Sequence, residues 1–296
     1  MKKSYLTLHT AVLLAGFTGV FGKLISLNEI TLVWYRVFFA SIILFFILKT
    51  YNLKTLKSFS EIGKISKAGI LITIHWIFFY ASIKYSNISI GVVCYCLTSF
   101  FTAIFEPIIN KKRFNIVQGL LSLLTLLGIS LIFHFDSSCQ LGILLGVVSS
   151  AFAALYTIYN ERLVQFYDSK LINFYQMLGG TLALGLILPF YFYSFPKQSF
   201  IPSLQDIFYL FILASCCTVA LYIMFAESLK KIPAFTVNLT FNLEPIYAII
   251  LAFIFFNEGQ SINFSFYIGI SLVMTSVLLQ SIISARTKKI IKQPIS

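Results

Sequence analysis

Ten apolar runs, each about the 20 residues that a helix needs to cross a bilayer, follow one another along a chain of 296 residues: Leu6–Leu24, Thr31–Leu48, Ala68–Tyr85, Ser89–Ile109, Ile116–Phe133, Leu141–Tyr159, Leu171–Tyr193, Ile207–Leu229, Ala234–Phe255 and Phe264–Ile283. Only short polar breaks separate them. In hydrocarbon every backbone N–H and C=O must be satisfied within the segment, so such runs have to be helices. Charged residues make up 11% of the chain, less than half the roughly 25% of a soluble domain. The expected fold is therefore an all-α membrane protein. The first run follows Lys2 and Lys3 and has the flanks of a secretory signal peptide, but its place in an internal repeat marks it as a retained helix.

The net charge of +12 needs no nucleic acid to explain it, because the basic residues sit in loops. With the N-terminus in the cytoplasm, the inner loops and termini hold eighteen of the 22 Lys and Arg residues. The outer loops hold three, Lys23, Lys84 and Lys197, and Arg36 falls within a span. This asymmetry places both termini on the cytoplasmic side, in a multi-pass protein of the bacterial cytoplasmic (inner) membrane. The five cysteines form no C-x-x-C pair, and His9, His75 and His134 are too scattered for a metal motif, so no metal and no cofactor is expected.

The chain repeats itself. Residues 81–99, ASIKYSNISIGVVCYCLTS, lie over residues 227–245, ESLKKIPAFTVNLTFNLEP, at an offset of 146 without a gap. With a slightly different offset, WYRVFFASIILFFIL (34–48) lies over FYQMLGGTLALGLIL (174–188), setting Arg36 over Gln176. The implied halves are residues 1–137 and 138–296, five helices each. Five is odd, so the second half runs through the membrane in the opposite sense. Inverted repeats of this kind place substrate sites near the midplane, between the halves.

The ten short-looped helices, the Arg36 segment and LEPIYAIILAFIFFNE (243–258) resemble the EamA-type transporters of the drug/metabolite transporter superfamily. The resemblance covers essentially the whole chain. In that family the second half carries a proline, often preceded by Glu, and a second Glu thirteen residues later; Pro245 and Glu258 match this spacing. The first half departs from it, with Ser99 and Lys112 at the corresponding places. The resemblance implies secondary transport of small polar metabolites, amino acids or similar compounds, usually outward, by a functional unit of one chain.

A carboxylate at the centre of a membrane helix costs about 2.5–3.5 kcal/mol on insertion scales, which makes Glu244 the first candidate. It reads as a proton or substrate group, or as a structural acid bonded to backbone that Pro245 frees by kinking the helix. Asn238 and Asn242 add a polar edge to this segment, and Gln176 and Tyr156 are further candidates of the second half. In the first half, His75, Trp76 and Tyr80 give an aromatic group at matching depth, and a pocket of aromatic walls with few polar groups suits a small molecule. Tyr95, Ser99, Thr102 and Glu106 share a helix face as a polar stripe. Glu106, close to Lys111-Lys112-Arg113, is expected near the cytoplasmic end as a gate-side acid or a ligand. Arg36 is expected to snorkel toward the outer end and to form a structural or gating ion pair, with a carboxylate-binding clamp as the alternative. Glu244 and His75 form the candidate proton path. The competing class is an intramembrane enzyme acting on a lipid-linked substrate, but no nucleophile–base pair, no H-E-x-x-H and no aspartate within a span is present. No Walker sequence is present either.

Overall fold

The computed structural model describes residues 2–53, 55–56, 58–133, 139–196, 199–256 and 264–291. Glu258, His134 and the basic residues Lys54, Lys57, Lys197 and Lys292 lie outside the described residues. Within them the chain forms thirteen α-helices and no strand. The helices are α1 (Lys2–Leu24), α2 (Glu29–Thr50), α3 (Phe59–Tyr85), α4 (Ile88–Tyr95), α5 (Leu97–Asn110), α6 (Ile116–Phe133), α7 (Gln140–Leu163), α8 (Ser169–Ser194), α9 (Leu204–Ala214), α10 (Leu221–Leu229), α11 (Ala234–Phe241), α12 (Glu244–Phe256) and α13 (Phe264–Ile291). A π-helical turn, Ser215–Ala220, joins α9 to α10. Eight continuous or jointed helices are long and apolar enough to span a membrane, and α6 and α13 contain the two shorter apolar helices.

These elements coincide with the ten apolar runs, and the differences have local causes. Helix α3 starts at Phe59 rather than Ala68 because the polar turn from Glu61 to Lys67 is helical, with an acid in the first turn, where the helix dipole favours it. Besides the eighth run with its π-helical turn, two runs are jointed. The fourth breaks at Cys96 and the ninth at Asn242 and Leu243, between α11 and α12. The two joints are repeat mates, since Cys96 and Asn242 stand one repeat offset of 146 residues apart. At the second joint Pro245 withdraws the N–H that would bond to Phe241, and the chain closes with i→i−3 bonds from Asn242 to Leu239 and Leu243 to Thr240, both 3.1 Å. Proline costs a helix nothing in its first turn, where the N–H has no intrahelical partner. The first joint forms without proline: the Ser99 hydroxyl donates to the Cys96 carbonyl at 3.0 Å.

Helix α3 packs on α7 and α8, α2 on α8 and α9, α1 on α10 and α12, and α6 on α13. This is the all-α membrane architecture of two inverted five-helix repeats. Repeat mates also touch each other directly. Trp76 Nε1 donates to Tyr222 Oη at 3.1 Å across a separation of 146 residues, and the Cys96 thiol is 3.9 Å from the Asn242 carbonyl across the same separation. The Tyr95 and Phe241 rings, again mates, meet edge to face at 6.4 Å. A residue can touch its own mate only beside the pseudo-two-fold axis, so these three pairs mark where the halves meet.

The crossing of α3 and α8 is close because Gly69 sits against the backbone of Gln176. Gly69→Leu is expected to separate the two helices and cost about 1–3 kcal/mol, seen as a lower unfolding midpoint of the purified protein in detergent. Gly63 lies on the same helix with nothing within 4 Å of an added Cβ, so Gly63→Ala is expected to hold or raise the midpoint.

Candidate functional site

The Trp76–Tyr222 contact borders a small cavity of about 20 Å³ lined by residues of both halves, among them Arg36, His75, Trp76, Tyr95, Tyr222 and Glu244. Ala15 and Thr18 of α1 and the apolar side chains of Phe79, Leu221 and Phe241 complete the wall. Each of these side chains is less than a tenth exposed, so the site is buried.

Arg36 is the best-anchored group in it. Its Nε donates to Thr218 Oγ1, Nη1 to Tyr80 Oη and Nη2 to the Cys217 carbonyl, each at 2.8 Å. The guanidinium carbon stacks 3.8 Å from the Trp76 ring centroid. The π-helical turn supplies both contacts on the α9–α10 side, since Cys217 and Thr218 lie within it. π-turns of this kind disturb the regular hydrogen-bond ladder and recur at functional sites. A guanidinium has five N–H donors, so two remain for a ligand. The expectation of a snorkelling, ion-paired Arg36 is corrected here. The side chain is 1% exposed and among the described residues it forms no ion pair, because hydroxyls, a carbonyl and an aromatic face hold it at depth.

Glu244 is the first residue of α12. The N-terminus of a helix carries partial positive charge, and half-helix termini serve buried anions in discontinuous membrane helices. Among the described residues no hydrogen bond or ion pair ties up its carboxylate, which lines the cavity at 4% exposure. Its repeat mate is Thr98, so only one half supplies an acid.

His75 is anchored to α7. Its Nδ1 is 2.8 Å from Ser149 Oγ and 3.1 Å from the Ser149 carbonyl, and the Ser149 hydroxyl donates to the His75 carbonyl at 3.0 Å. With the proton on Nδ1, the ring donates to that carbonyl and keeps Nε2 as its acceptor. The imidazole faces the Tyr95 ring at 5.3 Å. Tyr80 lies behind Arg36 as its hydrogen-bond partner rather than on the wall.

Four other candidates stand apart from the cavity. Tyr156 Oη donates to Gln176 Oε1 at 3.2 Å, Gln176 Nε2 to Asn160 Oδ1 at 3.1 Å, and Asn160 Nδ2 back to Tyr156 Oη at 3.0 Å. This closed ring joins α7 to α8. Asn238 accepts from Thr157 at 3.0 Å and donates to Thr102 at 2.7 Å. The Asn242 amide lies 3.2 Å from Ser99 Oγ, and with its NH₂ turned toward the carbonyls of Cys96 and Asn238 it satisfies both. The expectation that Tyr156, Gln176, Asn238 and Asn242 line the cavity is thus corrected. Their hydrogen bonds are consumed in seams between helices, because a buried amide left unpaired is costly. Glu106 sits at the end of α5, where Lys112 Nζ approaches it at 3.1 Å, and does not reach the cavity.

Thr18, Ser149, Thr218 and Tyr222 escaped the sequence reading. Tyr222 had a usable signal, because carrying the 146-residue alignment five positions upstream sets it over Trp76. Small hydroxyl residues on apolar helices gave none.

The EamA-like transporter family matches residues 2–134 and again residues 140–282. The chain belongs to that family. An "uncharacterized transporter" of Clostridium kluyveri is 23% identical over 295 residues, 94% of this chain and 93% of that protein. A second of the same description, from Haemophilus influenzae, is 24% identical over 273 residues, 86% of each chain. A solved crystal structure superposes with a TM-score of 0.70 over 95% of this chain and 98% of its own, at 12% identity, which shows the fold. This EamA-family protein is therefore a multi-pass membrane transporter of the drug/metabolite transporter superfamily.

Removing one member of the Tyr156–Asn160–Gln176 ring strands the other two. Gln176→Leu is expected to cost about 1–3 kcal/mol, measured as a lower unfolding midpoint. Glu244→Gln, which alters the cavity and not a seam, is expected to leave the midpoint within experimental scatter.

Proposed function

We propose that this transporter carries small zwitterionic metabolites, amino acids or close analogues, outward across the cytoplasmic membrane by alternating access. One observation carries the reading: a buried guanidinium with spare donors and a buried carboxylate that has no hydrogen-bond or ion-pair partner among the described residues line the same aromatic-walled cavity. Arg36 would take the substrate carboxylate, for which a planar fork is well matched. Glu244 would take the ammonium group, and Phe79, Tyr95 and Phe241 the side chain. Both termini are assigned to the cytoplasm on the Lys/Arg distribution, with the repeats divided at residues 137 and 138. Export follows the direction that the family resemblance implies.

Closure at both ends supports alternating access. At one end Asp206, at the start of α9, accepts from the backbone N–H of Ser26 at 2.8 Å and from its hydroxyl at 2.7 Å, and Lys84 Nζ donates to the Leu27 carbonyl. At the other end Glu61, at the start of α3, accepts from Tyr167 Oη at 3.0 Å. In each case the loop before the second helix of one repeat is tied to the first turn of the third helix of the other. The ties are thus repeat-related, one per side, and opening either one admits water from that side alone. Glu244, with His75 nearby in the same wall, is the candidate proton carrier.

Ligand protection of the purified protein tests the reading, because a ligand that binds only the folded state raises stability by about 2.7 kcal/mol at one hundred times its Kd. Among a panel of amino acids, at least one free zwitterion is expected to raise the unfolding midpoint. Its amide and its N-acetyl derivative are expected not to, and Arg36→Gln should abolish the effect. Protection by blocked and free compounds alike would overturn the zwitterion assignment. With that compound in reconstituted vesicles, Glu244→Gln is expected to lose transport driven by a pH gradient. Wild-type transport indifferent to the gradient would end the proton assignment.

A further inference from the structure

A second concavity lies between α3 and α7, apart from the central cavity, as an open groove of about 680 Å³. Its polar end carries Lys64, Lys67 and Arg162, and its lining continues along Leu71, Leu155 and Tyr159. Positions 64, 67 and 71 share one face of α3, and 155, 159 and 162 share one face of α7. Seven residues separate Arg162 from Leu155, about 10 Å of helix at 1.5 Å per residue. The groove therefore grades from cationic to aliphatic along the bundle axis.

Its charges are uncompensated. Among the described residues Lys64 and Lys67 make no hydrogen bond or ion pair, and both are exposed. Arg162 commits Nε and Nη2 to the Asn110 side chain and the Ile109 carbonyl, which leaves Nη1. The acids of these helices at this end are engaged elsewhere, Glu61 with Tyr167 and Glu161 with the Ala234 N–H. Three cations at the mouth of an apolar slot, at the end of two membrane spans, match one chemistry: a phosphate bearing acyl chains. A soluble anion would satisfy the cations and leave the leucine-lined part without purpose. A neutral lipid would do the reverse. Basic pockets between spans at the Lys/Arg-rich face are a recurrent form of headgroup site.

We propose that the α3–α7 groove binds an anionic phospholipid, its phosphate among Lys64, Lys67 and Arg162 and an acyl chain along Leu71 and Leu155. The lipid splints α3, which carries His75 and Trp76, to α7, which anchors His75 through Ser149.

The test is a titration of the full-length purified protein in neutral detergent with phosphatidylglycerol, phosphatidylcholine or inorganic phosphate. Retained lipid is counted by native mass spectrometry and the unfolding midpoint is followed in parallel. Phosphatidylglycerol is expected to be retained and to raise the midpoint, the other two not. Lys64→Gln with Lys67→Gln is expected to weaken phosphatidylglycerol about thirtyfold, the effect of two charges at the headgroup level. Lys64→Arg with Lys67→Arg should preserve binding. Lys3→Gln with Lys231→Gln, which removes equal charge elsewhere on the same side, should preserve it too. An equal loss in both glutamine doubles would overturn the groove as the site. Equal retention of phosphatidylcholine, or protection by inorganic phosphate alone, would overturn the anionic-lipid assignment.

Discussion

A guanidinium at the depth of an apolar bundle costs at least about 2.5–3.5 kcal/mol to insert, and much of the central architecture is arranged around meeting that cost at Arg36. Hydrogen bonds to Thr218, Tyr80 and Cys217 replace its water, and the Trp76 face adds a cation–π contact of the kind that strengthens on desolvation. Those partners come from α3 and from the π-turn, so Arg36 on α2 ties one half of the chain to the other. Trp76 in turn donates to its own repeat mate Tyr222. The anchored cation, the π-turn and the pseudo-two-fold contact are thus one construction. It leaves the cavity with a fixed positive group.

The negative group has a different origin. Both repeats break their fourth helix at the same place, but only the second follows the break with Glu and Pro. Ser99 sustains the joint in the first half, and Thr98 stands where the acid would be. Two-fold architecture with one-sided chemistry suits the proposed site, which would hold an asymmetric substrate in a single orientation. The joints also pair with polar seams, Ser99 with Asn242 and Thr102 with Asn238, that hold the broken helices together without occupying the cavity.

How far the sequence was readable follows from these particulars. Apolar run length is a physical requirement of the bilayer, so all ten runs reappear as helices. The repeat offset was visible at residues 81–99 and carried the inverted architecture. The aromatic group around His75 and the singular Glu244 stood out because each is improbable in hydrocarbon. The amides misled, because a buried Asn or Gln reads the same whether its partner is a ligand or a neighbouring helix. Asn238 and Gln176 found partners three-dimensionally, in Thr102 and Asn160. Arg36 misled for a related reason: snorkelling is judged from sequence depth, whereas the π-turn that offers Cys217 and Thr218 arises from backbone geometry with no compositional mark.

In the proposed alternating access, one cavity on the pseudo-two-fold axis is served from both sides of the membrane. Ala15 lines that cavity from α1, and a cysteine there adds one small side-chain atom. With the native cysteines replaced, Ala15→Cys protein in right-side-out and inside-out vesicles can be treated with a membrane-impermeant thiol reagent. Alternating access predicts labelling in both orientations, slowed in each by a bound substrate. Labelling from one side only, whatever the incubation time, would contradict it.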